Sequence, residues 1–222
     1  MRCVCHSLNL CAKKATAALP NRLEYFVREA HNYFSNSPKR LEKYKDLYET
    51  INNSSNSKKN QGLSGIRWLA RCDAIETIID QWEELKTYFL LNEKECYAAS
   101  QLHDTMSRLP YKAFLIFLKS VLKIVTQLNV LFQSDNIEPT KLFEDLFLMF
   151  KSLLKKIVVP AQLQKVKDSE LVNFDFMPHL MHTSSLNFSY ELQSIAEYLN
   201  PTDLKDVKER CKNFWCVLAS EI

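Results

Sequence analysis

Apolar residues recur every three and four positions along most of the chain, which is the spacing that places side chains on one face of an α-helix. From Cys3 to about Asn53 they form three such stretches, separated at Pro20 and at Ser37-Pro38. A serine followed by proline is typical of a helix start, because the hydroxyl accepts a free backbone N–H and proline fits the first turn. The pattern therefore predicts three helices in this zone.

Polar connectors and longer apolar stripes alternate along the rest of the chain. Residues 54–62 predict a linker, since they contain no apolar residue and are rich in turn formers. At most one short strand is expected, near residues 63–69. Beyond Arg71 the spacing predicts a helical array with an irregular stretch over residues 164–185. Its helices are expected over Ala74–Phe89, Tyr111–Phe132, Pro139–Ile157, Tyr190–Leu199 and Asp203–Ser220.

Glycine is almost absent, and this narrows the fold class. Only Gly62 and Gly65 occur, whereas tight turns of sheets and phosphate-binding loops use glycine. The sequence therefore predicts an all-α fold, a multi-helix array, and it contains neither a P-loop nor a dinucleotide-binding motif. The expected domains are residues 1–53, the linker 54–62 and residues 63–222.

The most apolar stretch, Ala113 to Phe132, is about long enough to cross a bilayer. Lys119, Lys123 and Gln127 lie within it at helical spacing and share one stripe with Lys112. Two lysines in the middle of a membrane span are costly. We therefore expect a mostly buried helix with one wet edge, and no membrane partner.

Charge and cysteine usage indicate an intracellular protein. The formal net charge of +3 and the pI near 8.4 permit contact with DNA without establishing it. Seven cysteines, an odd number without regular spacing, favour reduced thiols. Residues 1–20 do not predict a signal peptide, because Lys13 and Lys14 interrupt what would be its apolar centre.

Cys3 and His6 form a Cys-x-x-His pair near the start of the chain. A structural zinc site would need two further ligands at suitable spacing. Three interpretations stay open: a zinc site, a core thiol beside a hydrogen-bonded histidine, and another functional role.

Arg67-Trp68 follows a basic linker that contains Lys58 and Lys59. An indole in this setting can stack on an unpaired base while the arginine holds phosphate. The alternative is that Trp68 anchors the fold and Arg67 is solvated.

The remaining titratable residues predict no catalytic site. Four histidines stand at wide spacing, at His31, His103, His179 and His182. The last two lack the glutamate of a zinc-protease motif. Consecutive acids such as Glu83-Glu84 and Glu144-Asp145 do not converge on one helix face. We therefore expect no catalytic residue, no metal ligand and no cofactor in this chain.

Six short motifs follow one another along the chain. They are Cys3-x-x-His6-Ser-Leu-Asn9-Leu10, Tyr33-Phe34-Ser-Asn-Ser37-Pro-Lys-Arg40, Ile66-Arg67-Trp68-Leu69, Trp82-x-x-Leu85-x-x-Tyr88-Phe89, Leu128-Asn129-x-x-Phe132-Gln133-Ser134 and Val207-x-x-Arg210-Cys211-x-x-Phe214. In this order and spacing they resemble hAT-superfamily transposases and their domesticated relatives. The last two are similar to the helical insertion domain of that family.

The resemblance implies an RNase H-like core interrupted by a helical insertion, with residues 1–53 as a helical remnant of the core. It implies DNA strand transfer with Mg²⁺ or Mn²⁺ held by three carboxylates. By the same resemblance, Cys3 and His6 flank the active site, and Arg67 and Trp68 lie near flanking DNA. No acidic residue of this sequence matches a catalytic position, and the three carboxylates are expected beyond the two ends of the chain.

We therefore expect a fragment of a hAT-type transposase-like protein, ancestrally DNA-binding and now catalytically incomplete. Its expected location is the nucleus, and its expected partners are DNA and proteins, including a second copy. The alternative is a non-enzymatic helical protein-interaction module, a domesticated transposase-derived regulator, because apolar faces left without their core bind partner helices.

Overall fold

The computed structural model describes residues 4–52, 72–132 and 138–222, and over these ranges it confirms the all-α prediction. The helices are α1 (Val4–Thr16), α2 (Asn21–Ser35), α3 (Pro38–Asn52), α4 (Cys72–Asp80), α5 (Trp82–Asn92), α6 (Tyr97–Met106), α7 (Leu109–Leu131), α8 (Pro139–Ile157), α9 (Pro160–Leu163), α10 (Tyr190–Ala196) and α11 (Pro201–Glu221). The strand expected near residues 63–69 and the linker 54–62 lie outside the described residues.

Two compact units are present. The central unit comprises the described part of Pro20–Lys119, and the terminal unit comprises α1 through Leu19 together with the described part of Ser120–Ile222. The domains expected from the sequence, residues 1–53, the linker 54–62 and residues 63–222, stay a prediction. Pairing of chain ends cannot be read from local patterns, because it depends on contacts between residues about two hundred positions apart.

The terminal unit is centred on α1 packed against α11. Buried α1 side chains such as Leu8 and Ala15 face a core that includes Phe214 of α11. At the end of α11, the Cys11 thiol donates to the Glu221 carbonyl oxygen at 3.0 Å. Lys14 pairs with the Glu221 carboxylate at 2.6 Å. Apolar burial therefore drives this pairing and two polar contacts fix its register.

The stretch expected to be irregular contains short 3-10 helices at Asp168–Asn173, Met177–His179 and Thr183–Ser185. It is tied to the end of α8 by an isolated antiparallel bridge between Val158 and Leu180. Lys212 of α11 also donates to the Met181 carbonyl oxygen at 2.7 Å. Backbone pairing thus holds a segment that no helical periodicity predicts.

The central unit packs α2 and α3 against α4, α5 and α6. The apolar stripe expected over Ala74–Phe89 is present, but the helix is interrupted at Gln81, where φ is −113° and ψ is 30°. Hydrogen bonds continue across this residue, from Gln81 N to the Thr77 oxygen at 3.1 Å and from Leu85 N to the Gln81 oxygen at 2.9 Å. The Gln81 side chain is buried and accepts a 2.6 Å hydrogen bond from the Tyr44 hydroxyl.

Helix α6 was not indicated by the hydrophobic pattern. Its buried positions are Ala99, Leu102, Thr105 and Met106, so small and polar side chains replace half of the expected apolar stripe. Ala99 is fully buried where α6 packs against α2 and α5. A close helix approach selects small residues, and these give a weak periodic signal.

Helix α7 carries the polar stripe expected from the sequence, and 44% of its most apolar window is buried. Among the described residues, α7 is the one helix long and apolar enough to cross a membrane. Core helices of soluble proteins also meet this criterion. Its residues 113–118 are all buried. On the polar stripe, Lys112 pairs with Glu83 at 3.3 Å and Lys119 with Glu76 at 3.7 Å.

Replacing Tyr44 by Phe tests the buried hydrogen bond to Gln81. We expect the free energy of unfolding to fall by about 1–2 kcal/mol, because the amide oxygen loses a donor in the core. Tyr48→Phe, one helical turn along α3, is the control and should change it by less than about 0.5 kcal/mol. Urea unfolding followed by circular dichroism measures both, and equal effects would contradict the assignment.

Candidate functional site

The structure places one of the six residues predicted as a DNA-binding or active-site flank. His6 lies on α1 with an exposed side chain. The other five lie outside the described residues, namely Cys3, Lys58, Lys59, Arg67 and Trp68. The DNA contact expected from the sequence thus stays a prediction.

Single histidines have local partners. The His103 ring lies 2.9 Å from the Glu93 carboxylate, His179 stacks on Phe174 with 5.5 Å between ring centroids, and His182 Nδ1 lies 2.8 Å from the Ser184 hydroxyl. Within residues 4–52, 72–132 and 138–222, no group of three or more His, Cys, Asp or Glu could hold a metal ion.

The acidic pair Glu83-Glu84 behaves as its position on a helix predicts. Glu83 accepts from Lys112 of α7 at 3.3 Å, whereas Glu84 accepts from the Asn52 amide of α3 at 3.0 Å. The two carboxylates therefore serve different neighbouring helices and form no shared acid–base site.

Cys11, Cys72, Cys96, Cys211 and Cys216 are free thiols in the structure. Burial raises the pKa of Cys211 well above its ordinary value, and it also raises the pKa of Cys11 and Cys216. These three thiols therefore stay protonated, which makes them packing residues and poor nucleophiles.

Two of the motifs that carry the family resemblance form one cluster in the central unit. Tyr33 and Phe34 of α2 pack against Tyr88 and Phe89 of α5, with 5.3 Å between the Tyr33 and Phe89 ring centroids and 5.5 Å between those of Phe34 and Tyr88. All four side chains are buried. Aromatic contacts of this geometry add to the free energy of burial itself. We call these four residues, with Tyr44 and Arg40, the aromatic cluster.

Arg40 joins the same two motifs by polar contacts. Its guanidinium lies 4.3 Å from the centre of the Tyr33 ring, and its backbone carbonyl oxygen accepts the Tyr88 hydroxyl at 3.2 Å. Ser37 positions this residue, since its hydroxyl accepts from the Arg40 backbone N–H at 3.4 Å at the start of α3. The helix-start prediction at Ser37-Pro38 is thereby confirmed.

Burial determines the charge state of the cluster. It raises the pKa of Tyr88 to about 12, and it also raises the pKa of Tyr33 and, further still, that of Tyr44. The phenols are therefore neutral hydrogen-bond donors at physiological pH. The arrangement orders three helices and offers no reactive tyrosinate.

An aromatic groove on the terminal unit is an apolar recess that the sequence did not indicate. Its volume is about 320 Å³. It is lined by Phe143, Leu146, Phe147 and Phe150 of α8, Val172, Phe174 and Phe176, and Ala219, Ser220 and Ile222. Phe143 keeps 65% of its surface exposed. An apolar stripe on a helix predicts a buried face. The sequence around Phe143 does not indicate that part of the stripe on α8 stays exposed.

No family model, no curated protein and no solved structure matches the chain. The fold, the aromatic cluster and the aromatic groove therefore rest on the residues themselves. The family resemblance remains a hypothesis drawn from the six motifs.

High pH tests the shifted phenol of Tyr88. Its contribution to stability is fully present below pH 10 and is lost as pH rises toward 12, because the unfolded phenol releases its proton near the ordinary pKa of 10.0 and the folded one near 12. Tyr88→Phe should therefore show a shallower fall in unfolding free energy between pH 10 and 12 than the unsubstituted chain.

Tyr198→Phe is the matched control, since that side chain is 79% exposed. Urea midpoints at pH 9, 10, 11 and 12 give the comparison. Parallel curves for the unsubstituted chain and Tyr88→Phe would contradict the shift.

Proposed function

We propose that this chain is the helical, non-catalytic part of a hAT-type transposase-like protein that acts in the nucleus by binding DNA. The contact between the motif at Tyr33–Arg40 and the motif at Trp82–Phe89 carries the proposal. Two motifs that match a family by chance would not be expected to pack together, whereas two parts of one domain core would. Their packing supports the view that the resemblance reflects a shared architecture.

The distribution of charge supports DNA contact by the segment that precedes α4. Residues 53–71 contain no acidic residue and four basic ones, Lys58, Lys59, Arg67 and Arg71. Phosphate neutralisation is therefore assigned to Lys58, Lys59 and Arg67, and base stacking to Trp68.

By the resemblance, no acidic residue of this sequence matches a catalytic carboxylate of the family. Mg²⁺ or Mn²⁺ would need three converging carboxylates. The proposal therefore includes DNA binding without strand cleavage, with Cys3 and His6 at the flank of the family's catalytic site.

A mobility-shift assay on hairpin DNA tests the DNA contact. Trp68→Ala should weaken binding by about tenfold, since one base–aromatic stack contributes about 1–3 kcal/mol. Tyr198→Ala is the control for loss of an exposed aromatic ring and should leave binding unchanged.

Salt dependence tests the phosphate contacts in the same assay. Replacing Lys58 and Lys59 by Gln should reduce the slope of log affinity against log salt by about 2, since each phosphate contact contributes about 0.9. Binding that is absent, or indifferent to salt, would contradict the proposal.

A second candidate function, a helical protein-interaction module, is favoured by the aromatic groove. Its phenylalanine-rich lining suits the apolar side chains of a partner helix. Glu144 and Asp175 are exposed and adjoin the lining residues Phe143, Phe174 and Phe176 in sequence. We therefore commit to a basic amphipathic helix as the occupant.

Fluorescence anisotropy with two labelled model helices of equal length, one built from Leu and Lys and one from Leu and Glu, tests this candidate. The Leu/Lys helix should bind, and Phe143→Ser should weaken it by about tenfold. Tyr190→Ser, at an 84% exposed ring elsewhere in the unit, is the control. Equal binding of both helices, or equal effects of both substitutions, would exclude the groove as the site.

A further inference from the structure

Beside the end of α8 lies a recess of about 410 Å³, separate in composition from the aromatic groove. Its lining includes Lys151 and Lys155 of α8, Val158, Leu163 of α9, Gln164 and Asp168. We call it the lysine pocket. Val158 is fully buried, and the bridge to Leu180 fixes its backbone. The pocket thus has an ordered apolar wall and polar groups at its edge.

The two ammonium groups of the pocket differ in their partners. Lys151 donates to both oxygens of Asp168, at 2.6 and 2.7 Å. Lys155 is exposed one helical turn later and has no ion-pair partner among the residues that the structure describes. Two like charges at this spacing repel each other. Since Asp168 neutralises only one of them, the pocket carries an uncompensated positive charge.

Two further lysines lie nearby in the chain, at Lys165 and Lys167, and both are exposed. Lys165 donates to the Gln162 side-chain oxygen at 3.3 Å, which leaves its charge uncompensated. The helix dipole alone favours a lysine in the last turn of α8. The dipole does not account for an apolar recess and a side-chain amide beside that lysine.

We propose that the lysine pocket binds a small amphiphilic anion, a carboxylate, sulfonate or phosphate group on an apolar ring or chain. Lys155 would pair with the anionic group, and Gln164 would donate a hydrogen bond to it. Leu163 and Val166, which also lines the recess, would pack against the apolar part. The volume lies within the range of small-molecule sites. This site does not depend on the proposed DNA contact.

Titration of the full chain with three probes tests the inference: naphthalene-2-sulfonate, its neutral analogue naphthalene-2-sulfonamide, and inorganic sulfate. Binding is followed by calorimetry and by the NMR shift of the Gln164 side-chain amide. The sulfonate should bind at least about tenfold more tightly than either other probe, since only it offers both charge and apolar surface.

Lys155→Gln should weaken binding of the sulfonate by about tenfold and leave binding of the sulfonamide unchanged. Lys155→Arg should retain sulfonate binding, which guards against a loss caused by misfolding. Lys141→Gln is the control, since it removes another exposed lysine of the same helix outside the pocket.

Three results would overturn the proposal. They are equal binding of sulfonate and sulfonamide, equal effects of the Lys155 and Lys141 substitutions, and a Gln164 shift produced by a single-stranded oligonucleotide but not by the sulfonate. The last result would make the recess a contact for the nucleic-acid backbone. Mobility shifts with Trp68→Ala remain a separate test, so failure here leaves the DNA proposal standing.

Discussion

The central unit depends on one constraint, which is that bulky aromatic side chains carrying polar groups must be buried together. Tyr33, Phe34, Tyr88 and Phe89 remove their rings from water, and this apolar burial supplies most of the stabilisation. Each buried hydroxyl must then find a partner, because an unsatisfied one costs about 1–3 kcal/mol. Tyr88 uses the Arg40 carbonyl oxygen and Tyr44 uses Gln81. These bonds fix the relative register of α3 and α5, and Gln81 lies at the point where the long stripe of α4 and α5 is interrupted.

Much of the fold was accessible from sequence because most helices bury one continuous apolar stripe. The helix starts at Pro38 and Pro139 were marked by proline, whereas α11 begins at Pro201, two residues before the expected start at Asp203. Helix α6 was not predicted because half of its buried face consists of the small or polar residues Ala99 and Thr105. The pairing of α1 with α11 was not predicted for another reason. It is a long-range contact, and a local period reports that a face is buried without reporting which helix covers it.

The candidate binding features show the same difference between local patterns and long-range contacts. His103 has a local partner and the Glu83 and Glu84 carboxylates contact different helices, because spacing along one helix decides whether side chains can converge. The aromatic groove and the lysine pocket could not be predicted, since each joins α8 to the irregular stretch after α9. That stretch is held by backbone pairing at Val158 and Leu180, which leaves no periodic signature. Such recesses form where distant segments of the chain pack together, so they are seen only in the folded structure.

We propose that this polypeptide binds nucleic acid without cutting it, since no acidic residue of the sequence matches a catalytic position of the resembled family. The most direct measurement incubates the purified 222-residue chain with end-labelled hairpin DNA and Mg²⁺ or Mn²⁺, with EDTA as the matched control, and resolves the strands on a denaturing gel. We expect intact strands with either metal. Metal-dependent cleavage that EDTA abolishes, and that persists through further purification, would contradict the claim.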